Sequence, residues 1–236
     1  MSPRLGPINR VVRPALVDAV PRDHRQGDGE FQRRRVVAAI TLVVGATLLA
    51  FSLATAPGSS AFYPLTFSVA AVWVVGGLLS GPLHLGYRRA GASPRRPVLT
   101  PVVLGILAGA TFIVGALIVR EIGPLRDFVA HVLAHARKGN LTLVAGVTLL
   151  NGVGEEVFFR GALFAAIGRN HAVPISTAIY ALVTVATGNP MLVFAAVVMG
   201  ALFALQRRAT GGILAPLLTH LVWSMIMLLA LPPLFS

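Results

Sequence analysis

The stretch LTLVAGVTLLNGVGEEVFFRGALFAAI, residues 141–167, is long and apolar enough to cross a membrane, yet it contains three charged residues. A membrane-spanning helix needs about 20 predominantly apolar residues. Glu155, Glu156 and Arg160 fall near the middle of this run. Each charge at that depth costs roughly 2.5–3.5 kcal/mol on insertion scales. The three residues are therefore candidates for a functional site that faces the interior of a helix bundle.

The composition indicates a membrane protein. Of the 236 residues, 56% are hydrophobic and 12% are charged, whereas soluble domains have about 25% charged residues. The chain has no cysteine, which excludes disulfides, thiolate catalysis and cysteine-ligated metals. The net charge of +12 comes mainly from arginines at the ends of apolar segments. Because this distribution is typical of membrane topology signals, we do not expect nucleic acid as a partner.

The apolar segments predict an all-α fold, a polytopic transmembrane helix bundle with about seven spans (six to eight). Residues 1–35 are polar and basic and predict a flexible cytoplasmic tail, followed by the bundle over 36–236. An amphipathic stretch, 120–139, suits a helix lying at the membrane interface. The predicted spans are 36–56, 62–84, 99–119, 141–167, 173–187, 191–205 and 213–231.

Arginines are concentrated in the loops on one side of this predicted topology. Loops 87–96, 168–172 and 206–212 contain most of them, Arg169 included. Because basic loops stay in the cytoplasm, we expect a cytoplasmic N-terminus.

Helical spacing distinguishes the two carboxylates. Glu156 and Arg160 are four residues apart on one helix face, so they can pair. Glu155 points about 100° away and has no local cation, although Asn151 lies one turn before it and can share its face. A free intramembrane carboxylate suits a general base acting on water, or a proton carrier. The alternative is a buried polar network that only sets the register of helix packing.

His220, in LLTHLVWS, lies well inside the last predicted span. It can bind a metal, polarise a carbonyl or hydrogen-bond a carboxylate. Ser224 follows one turn later, and Asn189 lies in a Gly-Asn-Pro turn signal between two spans.

These residues suggest a family. GEEVFFRGAL (154–163) resembles the E-E-x-x-x-R motif of the CAAX-protease and bacteriocin-processing (CPBP, or ABI) intramembrane proteases. The segment from Met199 to Ser224 is similar to that family's third segment, which ends at a histidine. The resemblance covers about 141–230. It implies an intramembrane endopeptidase in which Glu155 activates water and His220 polarises the scissile carbonyl or steadies Glu155.

Two positions depart from the family pattern. The second motif, F-x-x-x-H, reads YALVT here, with Tyr180 for phenylalanine and Thr184 for histidine. In the third motif, H-x-x-x-N/D, Ser224 takes the last position. Threonine can hydrogen-bond water but cannot act as a base near neutral pH. The family is described both as zinc-dependent and as metal-free, and a zinc site here would have Glu155 and His220 as ligands but lack one histidine.

Three functions follow as alternatives. The first is a CAAX-type endopeptidase of the bacterial plasma membrane, with membrane lipids around it and a peptide or lipidated protein as substrate. In it, Arg160 either holds Glu156 or binds a substrate carboxylate. The second is a catalytically impaired relative that binds such segments or scaffolds a membrane complex, and the third is a small proton-coupled transporter.

Overall fold

A computed structural model describes residues 12–20, 26–90, 93–138, 140–168 and 170–235, and shows a helix bundle. Its helices are α1 (Asp28–Ala54), α2 (Phe62–Leu79), α3 (Leu99–Val119), α4 (Gly123–Lys138), α5 (Leu141–Ile167), α6 (Ala172–Val185), α7 (Pro190–Thr210) and α8 (Leu214–Leu234). In the described part of the chain, six of these are long and apolar enough to span a membrane, and α6 is a shorter apolar helix. The predicted all-α bundle of about seven spans is confirmed.

The described part of the N-terminal region contacts the helix bundle. A π-helical turn, Arg13–Val17, is followed by Val20, whose amide donates to the carbonyl of Ala209 on α7 at 2.9 Å. Helix α1 begins at Asp28, well before the apolar run, because the Gly27 amide is capped by the Glu30 carboxylate at 3.2 Å. Polar capping thus starts the helix before the apolar run that begins at Val36. Residues 1–11 and 21–25 of the predicted tail, and Arg169, lie outside the described residues.

The second span is shorter than predicted, and the basic loop after it is partly a hairpin. Helix α2 ends at Leu79, and the chain then runs extended to a pair of three-residue antiparallel strands, β1 (Arg88–Ala90) and β2 (Ser93–Arg95). Helix α3 follows from Leu99.

The extended segment before β1 is hydrogen-bonded to the turn between α7 and α8. The Tyr87 amide donates to the Thr210 carbonyl at 2.9 Å, and the Ile213 amide donates to the His84 carbonyl at 2.9 Å. Non-helical backbone at a membrane protein's core needs such partners, because lipid offers none. The segment therefore anchors the start of α8, which carries His220.

Gly86 makes this contact possible. Its φ is +79°, and a Cβ there would lie 2.6 Å from both the Gly212 amide nitrogen and the Thr210 carbonyl oxygen. We expect Gly86→Ala to lower the free energy of unfolding by about 2–4 kcal/mol, through backbone strain and overpacking. Gly146→Ala is the matched control, since a Cβ at Gly146 meets nothing within 4 Å. Thermal unfolding in detergent measures both, and equal melting temperatures would contradict the expectation.

Aromatic side chains pack α5 against α2. Trp73 is fully buried and stacks on Phe158 with ring centroids 4.7 Å apart. Phe159 lies beside both rings, with its centroid 5.1 Å from that of Trp73. This packing holds the middle of α5 in the bundle interior, where its charged residues lie.

Candidate active site

The middle of α5 is a π-helix rather than the α-helix that the periodicity predicts. The π-helical segment runs from Glu156 to Leu163, and every residue in it is buried. It ends with the Phe164 amide bonded to the Phe159 carbonyl five residues back. π-Helical turns are rare and are frequently found at functional sites. Here the π-helix begins at the second of the two carboxylates.

Glu156 lies at the centre of a buried ionic core. Its Oε1 accepts a hydrogen bond from Arg160 Nη1 at 3.0 Å and contacts His220 Nδ1 at 2.8 Å. The side chains of Glu156 and Arg160 are 0% and 1% exposed. The pairing that their spacing predicts is therefore present. Among the described residues, the carboxylate that His220 contacts is that of Glu156, next to Glu155 in the sequence.

The contact with Glu156 indicates which ring nitrogen of His220 carries the hydrogen. A carboxylate paired with a guanidinium only accepts hydrogen bonds, so Nδ1 of His220 is the donor. In the neutral ring, this leaves Nε2 as the acceptor. Nε2 lies over Gly152, 3.9 Å from where a Cβ would stand on that residue. A Cβ at Gly152 would be at ordinary van der Waals distance from Nε2 and would crowd Leu221 Cδ2, at 3.0 Å, instead.

The Arg160 side chain makes its contacts within the protein core. Its Nη2 donates to the Gly200 carbonyl at 3.3 Å, and its guanidinium lies 4.6 Å from the ring centroid of Tyr180 and 5.0 Å from that of Phe203. The Phe203 ring in turn stacks on His220 at 4.7 Å. Cation–π contacts of this kind stabilise a buried guanidinium. The alternative that Arg160 binds a substrate carboxylate does not fit this burial.

Glu155 has a partner that the sequence reasoning missed. Its Oε2 accepts a hydrogen bond from the Tyr180 hydroxyl of α6 at 2.5 Å, which lies at the short end of the range for a hydroxyl donating to a carboxylate. Glu155 is half-buried, unlike Glu156. The available signal was a tyrosine hydroxyl on α6, at a position where the family pattern has phenylalanine.

Thr184 and Ser224 occupy the two altered motif positions. The Thr184 hydroxyl donates to the backbone carbonyl of Tyr180 at 2.9 Å, so this donor is directed back to its own helix. Ser224 is buried on α8, one turn after His220.

The two predicted asparagines donate hydrogen bonds to backbone carbonyls and not to the carboxylates of α5. Asn151 Nδ2 donates to the carbonyls of Val147 at 2.8 Å and Thr66 at 3.2 Å, so it ties α5 to α2. Asn189 caps the start of α7 and donates through Nδ2 to the Phe128 carbonyl at 2.7 Å. The site that the structure assembles therefore consists of Glu155, Glu156, Arg160, His220 and Tyr180.

These residues do not fit a zinc site. Catalytic zinc usually has three protein ligands, and the described residues contain no group of three or more His, Cys, Asp or Glu side chains able to hold a metal. Oε2 of Glu155 is bound to Tyr180, and Nδ1 of His220 is bound to Glu156. Oε1 of Glu155 and Nε2 of His220 remain as possible donors, but Thr184 supplies no third ligand, so the two fall short of the usual three.

Comparison with known proteins gives a family match for the region around this site. No curated protein and no solved structure matches the chain. The family model described as type II CAAX prenyl endopeptidase Rce1-like matches residues 137–226. This range contains the two carboxylates of α5, all of α6 and α7, and His220. The part of the chain that forms the site is therefore similar to Rce1-like endopeptidases, consistent with the CPBP-family protease that the motifs predict.

Proposed function

We propose that the protein is a CAAX-type intramembrane endopeptidase that hydrolyses peptide bonds near the membrane, with Glu155 as the general base. The observation that carries this proposal is the unequal environment of the adjacent carboxylates. Glu156 is sealed in an ion pair with Arg160, whereas Glu155 is half-buried and bonded to a neutral hydroxyl. One carboxylate thus supports the structure and the other is available for chemistry.

The proposed reaction assigns one role to each side of the site. Glu155 takes a proton from water while the water oxygen bonds to the scissile carbonyl carbon. The C–N bond then breaks, and the proton passes from Glu155 to the leaving amine. His220 keeps Nδ1 on Glu156, and in its protonated form donates from Nε2 to the carbonyl oxygen as negative charge develops there.

The proposed setting is the bacterial plasma membrane, with the N-terminus in the cytoplasm. The four arginines in segment 87–96 support this orientation. Membrane lipids surround the bundle, and the substrate is a membrane-associated peptide or lipidated protein.

A catalytically impaired binding protein is the second candidate, because the hydroxyl of Thr184 is bonded to its own helix. The test is incubation of the protein in liposomes with prenylated CAAX peptides, with products identified by mass spectrometry. Specific cleavage products establish the protease. Saturable binding of these peptides without any cleavage product would establish the binding protein instead.

We expect cleavage to persist after removal of divalent metals, because the site lacks a third ligand. Turnover is measured after treatment with 1,10-phenanthroline and dialysis, with bound metal quantified by mass spectrometry. Stoichiometric zinc in the active protein, together with loss of turnover on its removal and recovery on its return, would contradict this expectation.

A further inference from the structure

We propose that Tyr180 is the positioning residue for Glu155, and that α6 serves the site through residue 180 instead of residue 184. This inference rests on the proposed function, since it assigns the residue that prepares the general base. Tyr180 touches Glu155 and acts through it. The inference also bears on the choice between a protease and an impaired relative, because it gives Glu155 a polar partner on α6.

The hydrogen bond orients the carboxylate. The Tyr180 hydroxyl holds Oε2 at 2.5 Å, and within the described part of the chain no hydrogen bond involves Oε1. A carboxylate with one oxygen fixed has its remaining lone pairs in a defined direction. Oε1 is then the atom that receives the proton from water, and the tyrosine limits rotation of the group between turnovers.

The Tyr180 ring is itself held on several sides. The Arg160 guanidinium lies 4.6 Å from its centroid, and the Phe159 ring packs edge-on with centroids 4.7 Å apart. A Cβ at Gly200 would lie 3.1 Å from Tyr180 Cδ1, so the glycine lets α7 approach this edge of the ring. Because these contacts involve the ring and not the hydroxyl, phenylalanine can keep them.

Tyr180 also links the two halves of the site. Its ring lies against Arg160, which neutralises Glu156, while its hydroxyl bonds Glu155. The buried ionic core thus sets the position of the tyrosine, and the tyrosine sets the position of the base. Thr184 cannot replace it in this arrangement, since its hydroxyl is bonded to the Tyr180 carbonyl.

The test compares Tyr180→Phe with Tyr63→Phe and Thr184→Val in the liposome cleavage assay. Tyr63→Phe is the matched control, because the Tyr63 hydroxyl accepts a hydrogen bond from the Asn140 backbone amide at the start of α5, away from the π-helix. We expect Tyr180→Phe to lower kcat roughly 10- to 100-fold, as for loss of a hydrogen bond to a charged group. Its KM should stay within about twofold of the parent value, because the hydroxyl does not bind substrate.

A merely structural tyrosine would give a different pattern. Tyr180→Phe would then lower the melting temperature and leave kcat unchanged, which would overturn the proposal. A fall in kcat with Thr184→Val but not with Tyr180→Phe would also overturn it, in favour of residue 184. Failure of the proposed function is distinguishable, since the parent protein itself would then show no cleavage.

Discussion

Replacing Glu155 with glutamine is expected to lower kcat/KM for peptide cleavage by a factor of roughly 100–10,000 or more, the range for loss of a general base. The amide has nearly the same shape as the carboxylate, and its oxygen can still accept the hydrogen bond from the Tyr180 hydroxyl. It cannot take a proton from water. The folded structure is therefore retained while the proposed chemistry is lost.

The matched control for this change is Glu121→Gln. Glu121 is an exposed carboxylate beyond the end of α3, paired with Arg120 at 2.9 Å. We expect this variant to cleave at the parent rate, and both variants to keep the parent melting temperature within a few degrees. Parent-level cleavage by Glu155→Gln would eliminate Glu155 as the base, and His220→Ala would then show whether the α8 side of the site is needed at all.

The second large effect is expected for the buried pair of Glu156 and Arg160. Removing one partner of a buried ion pair leaves an uncompensated charge and typically costs about 3–5 kcal/mol. Arg160→Met should therefore destabilise the protein strongly, since Glu156 is 0% exposed. The double variant Glu156→Leu/Arg160→Met removes both charges, and we expect it to be more stable than Arg160→Met alone.

A double-mutant cycle measured by thermal unfolding in detergent separates these contributions. Adding Glu156→Leu as the second single variant completes the cycle, and the coupling energy should be favourable to the pair. Additive effects of the two single variants would mean that the pair contributes nothing beyond its separate side chains. The double variant is also expected to cleave poorly, because His220 loses the carboxylate that holds Nδ1.

Much of the fold could be predicted from the sequence, because membrane spans are local features. About 20 consecutive apolar residues specify a spanning helix regardless of the rest of the chain. The pairing of Glu156 with Arg160 was also predictable, since it depends only on their separation of four residues along one helix. The resemblance from 141 to 230, likewise read from short motifs, is supported by the family match over 137–226.

Only the tertiary structure decided which partners the remaining residues have. Tyr180 and Glu155 are 25 residues apart, and His220 and Glu156 are 64 apart. Such contacts depend on how each helix is rotated and tilted against its neighbours, which hydrophobic periodicity does not specify. The π-helix from Glu156 to Leu163 changes that rotation within α5 itself.

The same reason explains two features that the sequence did not predict, one at the N-terminus and one after α2. The Val20 amide donates to the Ala209 carbonyl on α7, and the segment before β1 is hydrogen-bonded to the turn before α8. Both partners come from distant parts of the chain. Local sequence therefore determined a membrane helix bundle with an ion pair in its fourth long helix, whereas helix packing determined that His220 binds Glu156 and that Tyr180 holds Glu155.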